Sequence, residues 1–239
     1  AATLQGGAQA SVFNQANMRL GDTLSATVGG DFVNQGSINA PGDITLQARN
    51  IHSNTTQAGG IVTQGTLVAH ASGQLQLGAQ GVLSAGQALD LQAQAGASLQ
   101  GEVSTGGALN YSGGHWVQAG RVAADSIAVG ASLNNSGQML ANSIQVTGTT
   151  DNSGQLAATT LQLGALNNSG DISGVQFSLG ATTNTGGRIS GEQVAISGEL
   201  NNQAVVGASG EGKSLLSALA IGLVFGAVAG YAGGRVERA

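Results

Sequence analysis

Residues 207–214 read Gly-Ala-Ser-Gly-Glu-Gly-Lys-Ser, the G-x-x-x-x-G-K-[ST] spacing with which a glycine-rich loop wraps nucleotide phosphates. The chain's only lysine, Lys213, stands at the phosphate-binding place, after the apolar Ala204-Val205-Val206. A nucleotide site of this kind also needs a parallel sheet around the loop and a magnesium-binding carboxylate downstream. Nothing in the sequence after Ser214 resembles a strand ending in Asp. The match is therefore read as a chance one in a glycine-rich linker over 205–214.

The other chemistry-bearing residues are scattered. Asp43, Asp90, Asp125, Asp151 and Asp171 recur about once per repeat with uncharged neighbours. A polysaccharide-cleaving site needs clustered acids or a calcium-bound carboxylate group beside a base, so these five are read as solvated turn residues. His52, His70 and His115 are isolated and lack metal-ligand spacing. Trp116 and Tyr111, in NYSGGHWVQAG, come nearest to a sugar-binding or contact patch, although Tyr111 falls on an inward position. Asn54, Asn110, Asn134 and Asn167 each open an N-x-[ST] triplet, common by chance in so Asn- and Ser-rich a chain, and are assigned to turns. No residue is assigned to catalysis, to a cofactor or to a metal, and the chain is not expected to be an enzyme.

The elements that carry these residues come from one phrase written four times between Leu133 and Glu199. It reads LNNSGQMLANSIQVTG, TDNSGQLAATTLQLGA, LNNSGDISGVQFSLGA and TNTGGRISGEQVAISG. Asn135, Asn152, Asn168 and Asn184 align at nearly equal intervals. A period this short, about 16 residues, is one coil of a solenoid. Counted from Gly137, the places two, four, seven, nine and eleven on are Met139, Ala141, Ile144, Val146 and Gly148; from Gly154 they are Leu156, Ala158, Leu161, Leu163 and Ala165. Gly170 leads in the same way to Ile172, Gly174, Phe177, Leu179 and Ala181, and Gly187 to Ile189, Gly191, Val194, Ile196 and Gly198. Spacing of two with polar residues between means strands with one face inward. The slip from even to odd between the fourth and seventh places marks a bend, where small Ala or Gly fits.

The phrase runs back with looser spelling. Gly120 leads to Val122, Ala124, Ile127, Val129 and Ala131, while Gly36, Gly81 and Gly101 lead to Ile38/Ala40/Ile44/Leu46, Leu83/Ala85/Leu89/Leu91 and Val103/Thr105/Leu109/Tyr111. Gly65 leads to Leu67 and Ala69, with Leu75 and Leu77 after a longer bend, and a weaker copy lies at Leu24–Val28 after Phe13-Asn14. One coil cannot bury its few apolar residues, but coils stacked about 4.8 Å apart pair every strand with its copies. The expectation is an all-β parallel β-helix of roughly ten coils over 1–204, a rod of about 45–50 Å. Its turns require a residue tolerant of positive φ, supplied by Asn before Ser-Gly or Thr-Gly. Asparagines in register also pass amide hydrogen bonds up the stack. Pro41, the sole proline, falls in a bend and removes no ladder bond.

Beyond the linker, the stretch 215–234 carries no charge, with Gly222, Gly226, Gly230 and Gly234 at every fourth place. A glycine-striped hydrophobic α-helix is expected there, followed by a charged tail over 235–239. Two readings stand: contact with or passage through a membrane, or a cap over the solenoid's open end.

Composition excludes several classes. Charged residues make up 8% of the chain, against about 25% in an average soluble domain. The net charge of −5, with seven basic residues placed singly, offers no stripe for a phosphate backbone, so no nucleic-acid partner is expected. With no cysteine, neither a disulfide framework nor a thiolate metal site arises. The first residues show no initiator Met and no charged-then-apolar leader, which suggests a piece of a longer chain.

The repeated L-x-N-S-G-x-[LI]-x-[AG]-x-x-[LIV]-x-[LV]-x-[GA] resembles the haemagglutinin repeat of filamentous haemagglutinin and related exoproteins of bacterial two-partner secretion, including contact-dependent growth-inhibition carriers. The resemblance covers residues 10–204 and is most specific from Asn135 to Asn202. It implies a right-handed β-helix, secreted through an outer-membrane two-partner secretion transporter and displayed at the bacterial surface as a fibre. Such a fibre is an adhesin shaft that meets a host or bacterial receptor or glycan. In a toxin carrier, the terminal helix would meet a target membrane during delivery. The family's amino-terminal secretion domain does not occur in this sequence, so export is expected to depend on another part of the chain.

Overall fold

The computed structural model describes residues 1–54, 56, 58–208 and 214–217. Its strands are stacked in parallel, each paired with the equivalent strand one coil away, in a 20-stranded and an 11-stranded sheet. The 11-stranded sheet takes one strand from every coil, from Val12–Asn14 to Leu200–Asn202. The solenoid therefore has eleven coils, one more than the sequence count, and at about 4.8 Å per coil the stack is about 50 Å long.

Each coil has three strand segments around a filled interior. The first two carry the apolar places read from the sequence. Ile38, Ile44, Leu46, Leu83, Leu89, Leu91, Val103, Leu109, Val122, Ile127, Met139, Ile144, Leu156, Leu161, Ile172, Phe177, Ile189 and Val194 are all buried. The even-to-odd slip is a bend that in three coils does not break the strand. Gln138–Val146, Gln155–Leu163 and Asp171–Leu179 run through it as nine-residue strands. A side chain at Gly174, in that bend, would collide with the Ala158 carbonyl one coil away, which is why the position stays small.

Four expectations are corrected. The eleventh places, Ala131, Gly148, Ala165, Ala181 and Gly198, are half-buried or exposed, because the chain turns there. The third inward face begins at Leu133, Thr150, Leu166 and Thr182 instead.

The phrase after Gly65 is displaced by one strand. Leu67 and Ala69 pair with Ile44 and Leu46 on the second face, Ile61 supplies the first, and Leu75 and Leu77 belong to the third. Inserted residues before the strand shifted the count.

The turn asparagines do not use positive φ. Asn54 is the only non-glycine residue with it among the described residues. Asn135, Asn152, Asn168 and Asn184 are instead the last residues of short strands, side chains inward. The glycine after the turn is required by close approach. A Cβ on Gly137, Gly154, Gly170 or Gly187 would strike a glycine carbonyl of the preceding coil.

The expected helix over 215–234 does not begin as one. Ser214–Ser217 is a strand paired in parallel with Gln193–Ile196, as Val205–Ala208 is with Arg188–Gly191. An open strand edge offers the backbone ready hydrogen-bond partners, and this outweighs local helix propensity. The described residues contain no helix, and 218–239, with the glycine stripe and the expected membrane contact, lie outside them.

Candidate functional site

The third face carries the most organised polar chemistry. The last inward place of its strands forms one column: Asn14, Asn34, Ser53, Leu77, Leu99, Gln118, Asn135, Asn152, Asn168, Asn184 and Asn202. Over its second half the amides link head to tail. Asn135 Nδ2 donates to Asn152 Oδ1 at 2.8 Å, Asn152 to Asn168 at 2.8 Å, Asn168 to Asn184 at 2.9 Å and Asn184 to Asn202 at 2.9 Å. The same Nδ2 atoms reach back to the carbonyl two residues on, as from Asn168 to Gly170 at 2.9 Å and from Asn202 to Ala204 at 3.0 Å. A buried amide has two donors and an acceptor to satisfy, and from Asn152 to Asn184 this geometry uses both kinds in each coil.

A shorter ladder opens the chain, from Asn14 to Asn34 at 2.7 Å and Asn34 to Asn54 at 3.1 Å. Sequence reasoning did not find it, although Phe13-Asn14 and Val33-Asn34-Gln35-Gly36 carry the signal of an apolar residue before Asn. Their coils advance by 19–24 residues rather than 16–18, and the uneven step hides the period.

The candidate residues do not converge. Asp43 accepts from the Thr66 amide at 2.8 Å, Asp125 from Asn142 Nδ2 at 2.7 Å and Asp151 from Asn167 Nδ2 at 2.7 Å. Asp90 lies 3.5 Å from His70 Nε2, and Asp171 faces Arg188 in register. His52 Nδ1 is 3.0 Å from Gln76 Oε1, while His115 is exposed beside Trp116. Among the described residues no three His, Asp or Glu side chains gather in metal-binding reach. Asp31, which sequence reasoning did not single out, makes the tightest charge cluster. Asn50 Nδ2 at 2.9 Å and Arg49 at 3.0 Å hold its carboxyl below the usual carboxylate range.

The aromatic contact patch is corrected. Trp116 is fully buried and Tyr111 is 2% exposed, their ring centroids 5.1 Å apart. Trp116 pairs in register with Ala97, whose small side chain leaves room for the indole. Tyr111 donates its hydroxyl to the Gly114 carbonyl at 2.8 Å, and burial pushes its pKa up to about 12. Neither ring is available to a sugar.

The nucleotide-loop match joins two successive strands of the stack. Gly207 lies in Val205–Ala208 and Ser214 begins Ser214–Ser217, so no helix N-terminus follows the motif to receive a phosphate. Lys213 lies outside the described residues. Of the N-x-[ST] asparagines, Asn54 is buried in the first ladder, whereas Asn110, Asn134 and Asn167 point outward from strands.

Outward from the ladder, Asn134, Asp151, Asn167 and Thr183 stand in register. With Ser153, Ser169 and Thr185 they line a shallow polar groove of about 430 Å³. A second shallow groove of about 550 Å³ follows the bend past Ala124, Ala141, Ala158 and Gly174. The molecule presents repeating, sparsely charged polar columns around a core that holds buried amide ladders. Compared with family models, curated proteins and solved structures, the chain matches none.

Proposed function

We propose that this chain is a non-enzymatic shaft segment of a secreted bacterial surface exoprotein, stiff enough to hold binding regions away from the cell. The observation that carries this reading is the unbroken stack of eleven coils over one apolar core, with a buried amide ladder tying the coils from Asn135 to Asn202. Every cross-coil bond of this kind resists separation or slippage of neighbouring coils, which is what a spacer must do. The haemagglutinin-like repeat supports the finer part of the reading: export through an outer-membrane two-partner secretion transporter, residence at the cell surface, and adhesion to a receptor or glycan by regions the shaft presents. Cofactors, metals and nucleic acid have no part in it.

The test is surface labelling of intact source cells with antibodies against residues 1–208, alongside small-angle scattering of the purified chain. Labelling without permeabilisation, together with a rod about 50 Å long, supports the proposal. Antigen found only inside the cells would refute the surface role. Turnover of polygalacturonate with added calcium would refute the non-enzymatic one.

A further inference from the structure

Among the described residues, the buried side-chain atoms that lack a hydrogen-bond partner are Trp116 Nε1, both amide atoms of Gln118, Asn135 Oδ1 and Thr150 Oγ1. Although the described residues span eleven coils, all five atoms fall on three successive strands of the third face, Trp116–Gln118, Leu133–Asn135 and Thr150–Asn152. Gln118 is fully buried in the amide column between Leu99, which offers it nothing, and Asn135. The ladder that runs from Asn135 to Asn202 stops at this point, and the Asn135 oxygen that should receive the next amide has no donor.

A second observation marks the same place. Before Gln118 the coils advance by 19–24 residues, and after Asn135 by 16–18. The irregular coils also hold all four of the described residues with positive φ, Asn54, Gly59, Gly96 and Gly113. In a stacked-repeat protein, stability is a sum of intrinsic coil terms and nearest-neighbour interfaces. An interface that strands buried polar groups is weaker than its neighbours, and coils with longer loops lose more chain entropy on closing.

We infer that the shaft is two cooperative blocks, with the seam between the coil of Gln118 and the coil of Asn135. The backbone ladder and the apolar core cross the seam, as in the Trp116–Leu133 pairing, so the blocks form one rod. The coupling between them is low enough that the regular block from Leu133 onward keeps its order after the irregular block before it has lost its own. This follows from the fold alone and holds whether or not the shaft is exported.

The experiment is hydrogen exchange by mass spectrometry on the full chain across a urea series, with Gln118→Leu and Gln118→Asn as variants. The natural chain is expected to show two exchange midpoints, the lower one for peptides before Gln118 and the higher for those after Asn135. Leu fits the column, as Leu77 and Leu99 do, and removes both unpartnered amide atoms. Asn extends the ladder onto Asn135 Oδ1. Either variant should raise the lower midpoint towards the higher. A single midpoint in the natural chain, a boundary elsewhere, midpoints unmoved by both variants or loss of folding in both would overturn the inference.

Discussion

Asn167 and Asn168 are neighbours in one three-residue strand, and the structure assigns them opposite fates. Asn168 is buried, accepting from Asn152 at 2.8 Å and donating to Asn184 Oδ1 and the Gly170 carbonyl, each at 2.9 Å. Asn167 faces solvent and donates only to Asp151. In Asn168→Ala, Asn184 Oδ1 loses its ladder donor, while Asn152 Nδ2 keeps the Gly154 carbonyl at 3.3 Å. A buried acceptor left unpaired costs roughly 1–3 kcal/mol and a lost hydrogen bond about 1 kcal/mol. The expected loss is therefore about 2–4 kcal/mol. With a urea m-value of about 2–3 kcal/mol/M, the midpoint of the block from Leu133 onward, which holds residue 168, falls by about 1 M. Asn167→Ala, as an exposed change, should stay within about 0.5 kcal/mol. The assay is urea unfolding followed by circular dichroism, with hydrogen exchange reporting the coils on either side of residue 168. If the two alanine variants unfold together, the column does not stabilise the stack and the reasoning fails.

Other expectations follow from burial and close approach. Ile144→Asp or Leu161→Asp places an unpaired charge in the core and should abolish the cooperative thermal transition of the block from Leu133 onward, while Gln145→Asp on the outer face leaves it in place. Gly154→Ala meets the Gly137 carbonyl, whereas Gly186→Ala finds open space within 4 Å, so only the first should lower Tm clearly. For Tyr111 the folded pKa of about 12 lies above the unfolded value of about 10. Its contribution to stability is whole below pH about 10 and is lost as pH rises towards about 12, which absorbance titration of the folded and urea-unfolded chain can check. Trp116, the only tryptophan, should emit as a buried indole and shift red when the stack opens.

Alternating pattern made the first two faces legible. Met139 and Ile144, or Leu156 and Leu161, lie inward as their spacing requires, because a strand's side chains alternate and one face must leave water. The third face was harder to read. With three-residue strands such as Leu166–Asn168 there is too little chain for periodicity, and buried asparagine looks like a turn residue until its partner one coil away is known. Trp116 looks like an exposed contact in the sequence because Gly113, Gly114 and His115 lead into it. Its burial depends on Ala97 in the coil before it.

The sequence by itself determined that this chain is a stack of short strands with small bends, apolar inside and polar with few charges outside, since those properties belong to residues two or a few places apart. Only the tertiary structure decided which residue stands over which. Coils of unequal length bring Asn onto Asn along half of the column, Gln118 onto Asn135 at the seam, and residues 214–217 onto the strand edge at Gln193–Ile196. Hydrogen bonds between coils are set by position along the stack axis, and that coordinate exists only once the chain has wound.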